Sequence, residues 1–403
     1  MLHPTLRRCF FWSHLAVGIV AGLIILILAF TGLMMSFETQ IINRVESSMV
    51  RSSAEGKTQL LTPAEMVGAF EKAGVKGKPT TLNFTNDADA PVIFLAGRGN
   101  QQLFHPTTGE AMGKGAVGTR RFFQINLSLH RWLTWPMQQR AGQENAGQQQ
   151  RQGSGWRDIG GQVVSAGTLL FLFLLISGLV IWIPKKRVWR AFKVNLTLQR
   201  RLKGRARDWN WHNVAGIWAS PFILVICLTG LIMAYPWANG MLYSAFGESV
   251  PKRQAGGQQG GREGGKEGGG KMKISTTHLD ALAEFAKKQV PDWRSMSLEL
   301  PTNDEQPLVV TVTDAGRGRP DRRQKFTVTP DTFEIVKRET SSDLKPVAQA
   351  RQFVRWLHTG EAFGWIGQLL MALACSAALV LVWTGFALSF RRFFPKRKKM
   401  AAA

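Results

Sequence analysis

Three cysteines in a chain of 403 residues, with no Cys-x-x-Cys among them, leave little room for thiol or metal chemistry of that kind. Cys227 and Cys375 fall inside long apolar stretches and Cys9 beside another, so the segments between those stretches have no disulfide to form. Acid is scarce as well: 27 Asp and Glu face 51 Lys and Arg, a formal charge of +24. A disordered basic chain is excluded all the same, because 45% of the residues are apolar, with 14 Trp and 24 Phe among them. No strand-to-helix glycine turn carries a dinucleotide fingerprint. The glycine-rich run at 255–271 is low-complexity Gly, Gln and charge. Hydride from a nicotinamide cofactor is therefore not taken directly.

Charge of either sign is missing altogether from Phe10–Phe37, Ile159–Ile183, Trp209–Gly247 and Ala362–Phe390. Each exceeds the roughly 20 residues with which a helix crosses about 30 Å of hydrocarbon. Buried helices of soluble proteins are shorter, so four transmembrane helices are expected, over 10–37, 159–183, 209–238 and 362–390. The first is too long for the apolar core of a signal peptide, and no small-residue cleavage site follows it. It reads as an anchor that stays.

Basic residues set the orientation. Lys185–Arg207 holds ten Lys and Arg and no acid, Arg391–Lys399 holds six, and Arg7 and Arg8 precede the first span. The positive-inside rule puts the loop 184–208, the tail 391–403 and the N-terminus in the cytoplasm. In a bacterial inner membrane, segments 40–121 and 245–346 are then periplasmic, each followed by a histidine-bearing segment, 122–158 and 347–361. Position beside the spans accounts for the basic runs, so the lipid bilayer is an expected partner and nucleic acid is not.

The chain also repeats itself. His14 and Gly18, then Thr31-Gly32, recur as His212 and Gly216, then Thr229-Gly230, with His and Thr seventeen residues apart in both. Gly160 and Gly178 are eighteen apart, as are Gly367 and Gly385, and Ser177 or Thr384 precedes the second of each pair. Leu129-His130 and Leu357-His358 stand upstream of these. The unit is span, external domain, histidine segment, span, used twice. The first copy has the longer Gln/Gly-rich insert, Gln138–Gly155. Within 40–121, the capping box Thr62-Pro63-Ala64-Glu65 opens a short helix that stops near Gly74. Extended runs at Thr80–Phe84 and Pro91–Gly97 and a turn at His105–Gly109 follow. The second segment offers a helix near Thr277–Gln289, runs at Ser297–Leu300, Leu308–Thr313 and Lys325–Thr329, and a turn at Thr329–Thr332. The expected fold is an internally duplicated four-helix membrane bundle with two small α+β external domains.

Four of the seven histidines fall on the repeat: His14, His130, His212 and His358. An imidazole in an apolar span is costly without a partner. Gly18 and Gly216, four residues on, leave a flat recess on the same helix face, which suits a planar macrocycle. Zinc requires further ligands, and no Cys, Asp or Glu accompanies these positions. Six-coordinate haem requires only two imidazoles. The competing reading makes the histidines interhelical hydrogen-bonding groups, with glycine for close packing. Topology pairs His14 with His212 near the cytoplasmic face, the inner pair, and His130 with His358 near the periplasmic face, the outer pair. Two bis-histidine haems, one per leaflet, are expected. Arg131, Arg351 and Arg355 flank the outer pair, either as holders of haem propionates or as interfacial anchors. His3, His105 and His278 read as surface residues.

These motifs resemble the PepSY-associated transmembrane family over nearly the whole chain. Its marks are His14 with Thr31-Gly32, their copy His212 with Thr229-Gly230, and Leu129-His130-Arg131. The Pro-x-Thr-Gly turn of a PepSY module is present as Pro106-Thr107-Thr108-Gly109, while the second copy has Phe333 where Gly is usual. The external domains are thus expected to be PepSY-like. In size and layout the most similar members are the FoxB-type inner-membrane ferrisiderophore reductases. That resemblance implies a haem-dependent ferric-chelate reductase with two haem b groups. Electrons from quinol or a cytoplasmic reductase would reduce periplasmic Fe(III)-siderophore and release Fe(II). Chelators hold hard Fe(III) far better than Fe(II), so one electron suffices and no acid–base constellation is required; none is present. Two other readings compete. One is a non-redox PepSY membrane protein that regulates periplasmic peptidases or binds a ligand. The other is a permease component, for which four spans without an intramembrane proton path form a poor pore.

Overall fold

A computed structural model describes residues 3–52, 59–75, 77–96, 100–135, 154–184, 189–251, 274–314 and 322–395. The insert at 138–155, apart from its last two residues, and the low-complexity run at 255–271 lie outside the described residues. Two compact units emerge. One comprises Met1–Glu38, Arg121–Glu248 and Ala350–Ala403, the other Thr39–Arg120 and Ser249–Gln349.

Among the described residues, the first unit contains four helices long and apolar enough to cross a membrane: α1 (Pro4–Met35), α5 (Ser154–Trp182), α7 (Gly204–Ala234) and α11 (Gly364–Phe393). Each is apolar all round. Val20, Leu23, Ile176 and Leu373 point outward, as lipid permits and water does not. Helix α1 packs on α5 and α11, and α7 packs on the same two. The seam is built from small side chains, Ala29, Ala219, Cys227, Ala374 and Ala378, with Leu175 and Ile223 between them. Small residues let membrane helices approach closely where no hydrophobic force drives them together. Pro221 inside α7 cannot donate to Ile217 O, and the Ser220 hydroxyl takes over that carbonyl at 2.8 Å. Shorter helices complete the unit: α4 (Val117–Trp132) and α10 (Pro346–Thr359), whose later turns carry the histidine segments, α6 (Trp189–Leu196) and α8 (Pro236–Ala245).

Among the described residues, the second unit is built on one antiparallel sheet of seven strands: β1 (Thr81–Thr85), β2 (Val92–Ala96), β3 (Asn100–Phe104), β4 (Trp293–Glu299), β5 (Leu308–Asp314), β6 (Arg323–Val328) and β7 (Ile335–Thr340). Their order is β3-β2-β1-β4-β5-β6-β7. Here the expectation of two small domains is corrected. Strand β1 pairs with β4 from Thr81↔Glu299 to Thr85↔Ser295, so the two halves share a sheet. They share a core too. Met66, Val67 and Phe70 of α3 (Pro63–Lys72) and Leu279, Leu282 and Ala286 of α9 (Leu279–Gln289) pack in one cluster with Leu82, Phe94, Phe104, Leu298, Val310 and Phe326. A single helix on three strands buries too little apolar surface to stand alone, and joining the halves removes two open edges. Strands β3 and β7 and the helix α2 (Glu38–Ser52) are elements the sequence pattern does not announce. Buried Glu46 of α2 is held at the start of α4 by Ala116 N at 3.2 Å and by Arg120 Nε and Nη2 at 3.0 and 2.9 Å.

The two turns that follow β3 and β6 match bond for bond. Gly109 N donates to His105 O at 3.0 Å and His105 N to Glu110 O at 2.9 Å. Phe333 N donates to Thr329 O at 3.2 Å and Thr329 N to Glu334 O at 3.0 Å. Gly109 has φ +72° and Phe333 φ +54°. Phenylalanine therefore adopts the left-handed conformation that glycine usually supplies, and its ring is stacked 6.2 Å from Phe285. His105 is corrected as well: it is buried, not superficial. Its Nδ1 accepts from Thr107 N and Thr108 N, both at 3.3 Å, and its Nε2 donates to Val50 O at 3.2 Å. His3 is exposed, and the ring of His278 lies 6.3 Å from that of Phe333.

Candidate functional site: two imidazole pairs in a helix bundle

All four repeat histidines meet in pairs. The ring centroids of His14 on α1 and His212 on α7 are 6.4 Å apart with planes at 86°. Those of His130 on α4 and His358 on α10 are 6.3 Å apart at 66°.

One device orients every ring. His14 Nδ1 is 2.9 Å from Ser177 Oγ on α5, and His212 Nδ1 is 2.9 Å from Thr384 Oγ1 on α11. His130 Nδ1 is 2.8 Å from Thr31 Oγ1 on α1, and His358 Nδ1 is 2.9 Å from Thr229 Oγ1 on α7. A hydroxyl has one proton. Each of these hydroxyls spends it on the carbonyl four residues back: Phe173 at 2.7 Å, Val380 at 2.7 Å, Ile27 at 2.7 Å and Val225 at 2.6 Å. The hydroxyl oxygen must then accept from the ring, so Nδ1 carries the hydrogen and Nε2 the lone pair. Among the described residues, no hydrogen bond reaches any of the four Nε2 atoms.

A glycine follows each hydroxyl, and the ring lies over it. A Cβ on Gly178 would stand 3.2 Å from His14 Cε1, on Gly385 3.6 Å from His212 Cε1, on Gly32 3.5 Å from His130 Cε1, and on Gly230 3.5 Å from His358 Cε1. The glycines that the rings lie over are thus on neighbouring helices, while Gly18 and Gly216 lie on the histidines' own helices. Their missing side chains face Leu174 and Leu381 at 3.8 and 3.6 Å. The signal for the true partners was the repeated Ser/Thr-Gly step, whose role only interhelical packing discloses.

The pairs differ in what holds their helices. For the inner pair, two adjacent arginines on α11 reach two different helices. Arg391 bonds Asp208 of α7, which is 1% exposed, stands one turn before His212, and also receives Arg207 at 2.9 Å. Arg392 lies 4.7 Å from the ring centres of both Phe11 and Trp12, just before His14. An acid does accompany His212, then, but as the anchor of an ion pair. For the outer pair, glycines permit the contact. A Cβ on Gly160 of α5 would overlap Trp132 O at the end of α4, and one on Gly367 of α11 would overlap Gly360 O just after α10. The Arg131 guanidinium lies 4.5 Å over Trp132, while Arg351 and Arg355 are exposed without an acidic partner among the described residues. Burial drives His130 and His358 down to about 4, and the facing imidazole adds to this at His130, so both rings are neutral near pH 7.

The spacing can be compared with what iron requires. Metal–imidazole bonds of about 2.0–2.1 Å, with ring nitrogens roughly 1.1 Å from their centroids, set two trans imidazoles about 6.2–6.4 Å apart, centre to centre. Both pairs meet that value. Among the described residues, no third His, Cys, Asp or Glu converges on either pair. A bare ion would be under-ligated here, whereas a porphyrin brings its own four nitrogens.

Four apolar helices around two such pairs define a membrane-spanning protein with paired, pre-oriented imidazoles. The family model for the PepSY-associated TM region matches residues 11–392, and the chain belongs to that family. Comparison with curated proteins gives no match.

Proposed function

We propose that this chain is a di-haem b oxidoreductase of the FoxB type, which passes electrons across the bacterial inner membrane and reduces periplasmic Fe(III)-siderophore. The observation that carries the reading is the pair of imidazole separations, 6.4 and 6.3 Å, with every Nδ1 engaged and no hydrogen bond on any Nε2 among the described residues. His14 and His212 would hold one haem and His130 and His358 the other. Haem held by these imidazoles would supply one-electron chemistry. The chain's own part is to fix the rings. The hydroxyls of Ser177, Thr384, Thr31 and Thr229 set the tautomer and rotation of each imidazole, and such outer partners raise ligand basicity. Ala29, Leu175, Ile223, Cys227, Ala374 and Ala378 form a buried apolar seam among the spans. Arg131 and Arg355 suit the propionate carboxylates of the outer haem.

The substrate is hard Fe(III) in an oxygen-donor chelate. One electron converts it to Fe(II), which the chelator holds less well, and no bond of the chelator breaks. By the positive-inside rule the inner pair would lie at the cytoplasmic side, so electrons would enter there, from quinol or a cytoplasmic reductase, and exit on the outer side. A purely packing role for the histidines accounts for the Nδ1 contacts but leaves the four Nε2 atoms, which carry no hydrogen bond among the described residues, without purpose. The test is anaerobic. Purified protein reduced with stoichiometric dithionite is mixed with a ferric trihydroxamate and an Fe(II) trap. The reduced absorption bands should decay as one Fe(II) appears per electron. Bands that stay reduced in excess chelate would overturn the reductase reading.

A further inference from the structure

Helix α6 and the basic strip that follows it lie within the segment expected to be a plain loop. Four hydrogen bonds pin α6 to the spans. Asn195 Nδ2 donates to Trp182 O at 3.2 Å, at the end of α5. Asn210 of α7, fully buried, donates to Val194 O at 2.9 Å and Thr197 O at 3.1 Å. Trp218 Nε1, two turns further along α7, donates to Leu196 O at 3.0 Å. Asn210 and Trp218 bracket His212 along α7. The C-terminal end of α6 therefore sits at the depth of the inner histidine pair, alongside the span and not beyond it.

Its exposed surface has two characters. Trp189 is 73% and Trp218 65% exposed; broad amphipathic rings of this kind settle at the boundary between acyl chains and headgroups. Arg190, Lys193, Arg200, Arg201, Lys203 and Arg205 are all exposed. No acid occurs anywhere in 189–207, and among the described residues none of the six forms an ion pair. Arg207 and Arg391, a few residues away, do pair, and both use Asp208.

We propose that α6 and the Arg200–Arg205 strip form a binding site for the phosphate groups of anionic phospholipids in the surrounding bilayer. Charge calls for an anion, and the position calls for one that is fixed at the headgroup level. A nucleic acid or an acidic protein would meet the strip from the water and leave Trp218 and Trp189 to the acyl boundary, so lipid accounts for both faces of the feature and a soluble polyanion for only one. The site is independent of haem and of the ferric-chelate reaction.

The test is retention of lipid by the purified full chain. After delipidation in neutral detergent, the chain is offered equal phosphatidylglycerol and phosphatidylcholine, and bound lipid is counted by native mass spectrometry. Wild type should favour phosphatidylglycerol by about tenfold, as several interfacial cations acting together allow. The quadruple variant R190Q/K193Q/R200Q/R201Q should approach parity. Glycerol 3-phosphate at the same concentration should not displace the lipid. Should the variant misfold, wild type in about 1 M salt, where the screening length is about 3 Å, should lose the preference by itself. Equal retention of the two lipids by wild type, a preference unmoved by salt, a preference unmoved in the folded variant, or displacement by glycerol 3-phosphate would each overturn the proposal.

Discussion

His14 and His212 stand on the spanning helices themselves, whereas His130 and His358 stand on α4 and α10, short helices held against the spans by glycine contacts. Every ring is tied through Nδ1 to a hydroxyl whose own proton is committed to its helix, so the final orienting step is the same at both ends. What aims the helices differs. Charge and aromatic contacts do it at the inner pair, through Arg391 on Asp208 and Arg392 on Phe11 and Trp12. At the outer pair missing side chains at Gly160 and Gly367 set the approach, and the one charge–aromatic contact between helices there among the described residues, Arg157 of α5 at 5.0 Å over the Trp132 ring, lies on the close contact that Gly160 permits. One pair of imidazoles is thus vulnerable to lost charge and the other to added bulk. The lesson is that the repeated motif preserves the atoms nearest the imidazoles more faithfully than the supports behind them.

The largest expected effect is loss of a ligand. His212→Ala should remove the inner haem and leave the outer, and His358→Ala the reverse. Haem per chain should fall from two to one, with one set of low-spin signals surviving in each case. Loss of both from either variant would mean that the two pairs are not separate sites. Next comes bulk. Gly160→Val drives a side chain into Trp132 O, and overpacking of this kind costs about 1–3 kcal/mol. It should displace α4 and perturb the outer spectrum while the inner spectrum is unmoved. An equal disturbance of both would erase the contrast drawn above.

Removing a hydroxyl is milder and sharpens the shared part of the comparison. Thr229→Val and Thr384→Val each free one Nδ1, and loss of such an outer partner weakens metal retention about 10- to 100-fold. Competition with apomyoglobin measures haem loss; Thr229→Val should accelerate it at the outer site and Thr384→Val at the inner, by similar factors. The smallest effect is that of Asp208→Asn. Both arginines it holds are partly exposed, so the loss is about 1–2 kcal/mol, below the cost of breaking a fully buried pair. The inner low-spin signal should shift with the outer unchanged. A matching shift at the outer site would show that the Arg391 contact steadies the whole bundle and not one pair.

Much of this architecture is legible in the sequence. Lipid permits no charge on a spanning face, so the four helices appear as charge-free runs, and the recurring His and Thr-Gly spacing singles out four histidines from seven. The contacts of those rings are another matter. Thr31 and His130 are 99 residues apart, and a Thr-Gly step recurring at fixed spacing does not say which ring it meets. Gly18 and Gly216 attracted attention because they share a helix face with the histidines, yet the glycines beneath the rings belong to neighbouring helices. Asp208 passes for a lone acid in a basic stretch until its place one turn before His212 is seen. In the sheet unit, β7 is nearly all exposed and carries Lys337, Arg338 and Glu339, so it lacks the apolar alternation that reveals a strand. The joined sheet depends on β1 meeting β4, a pairing between halves that no local pattern encodes. Phe333 shows the limit of turn rules: contacts with Phe285 and His278 accompany a backbone conformation that local propensity disfavours.

The central claim is that these imidazole pairs are axial ligand sets, and haem quantitation combined with low-temperature electron paramagnetic resonance tests it most directly. Protein purified from haem-replete cells should contain two haem b per chain. Both should be low-spin in the ferric state, with the strongly anisotropic signals that steeply crossed imidazole planes produce. A colourless preparation, or haem that is only high-spin, would contradict the account.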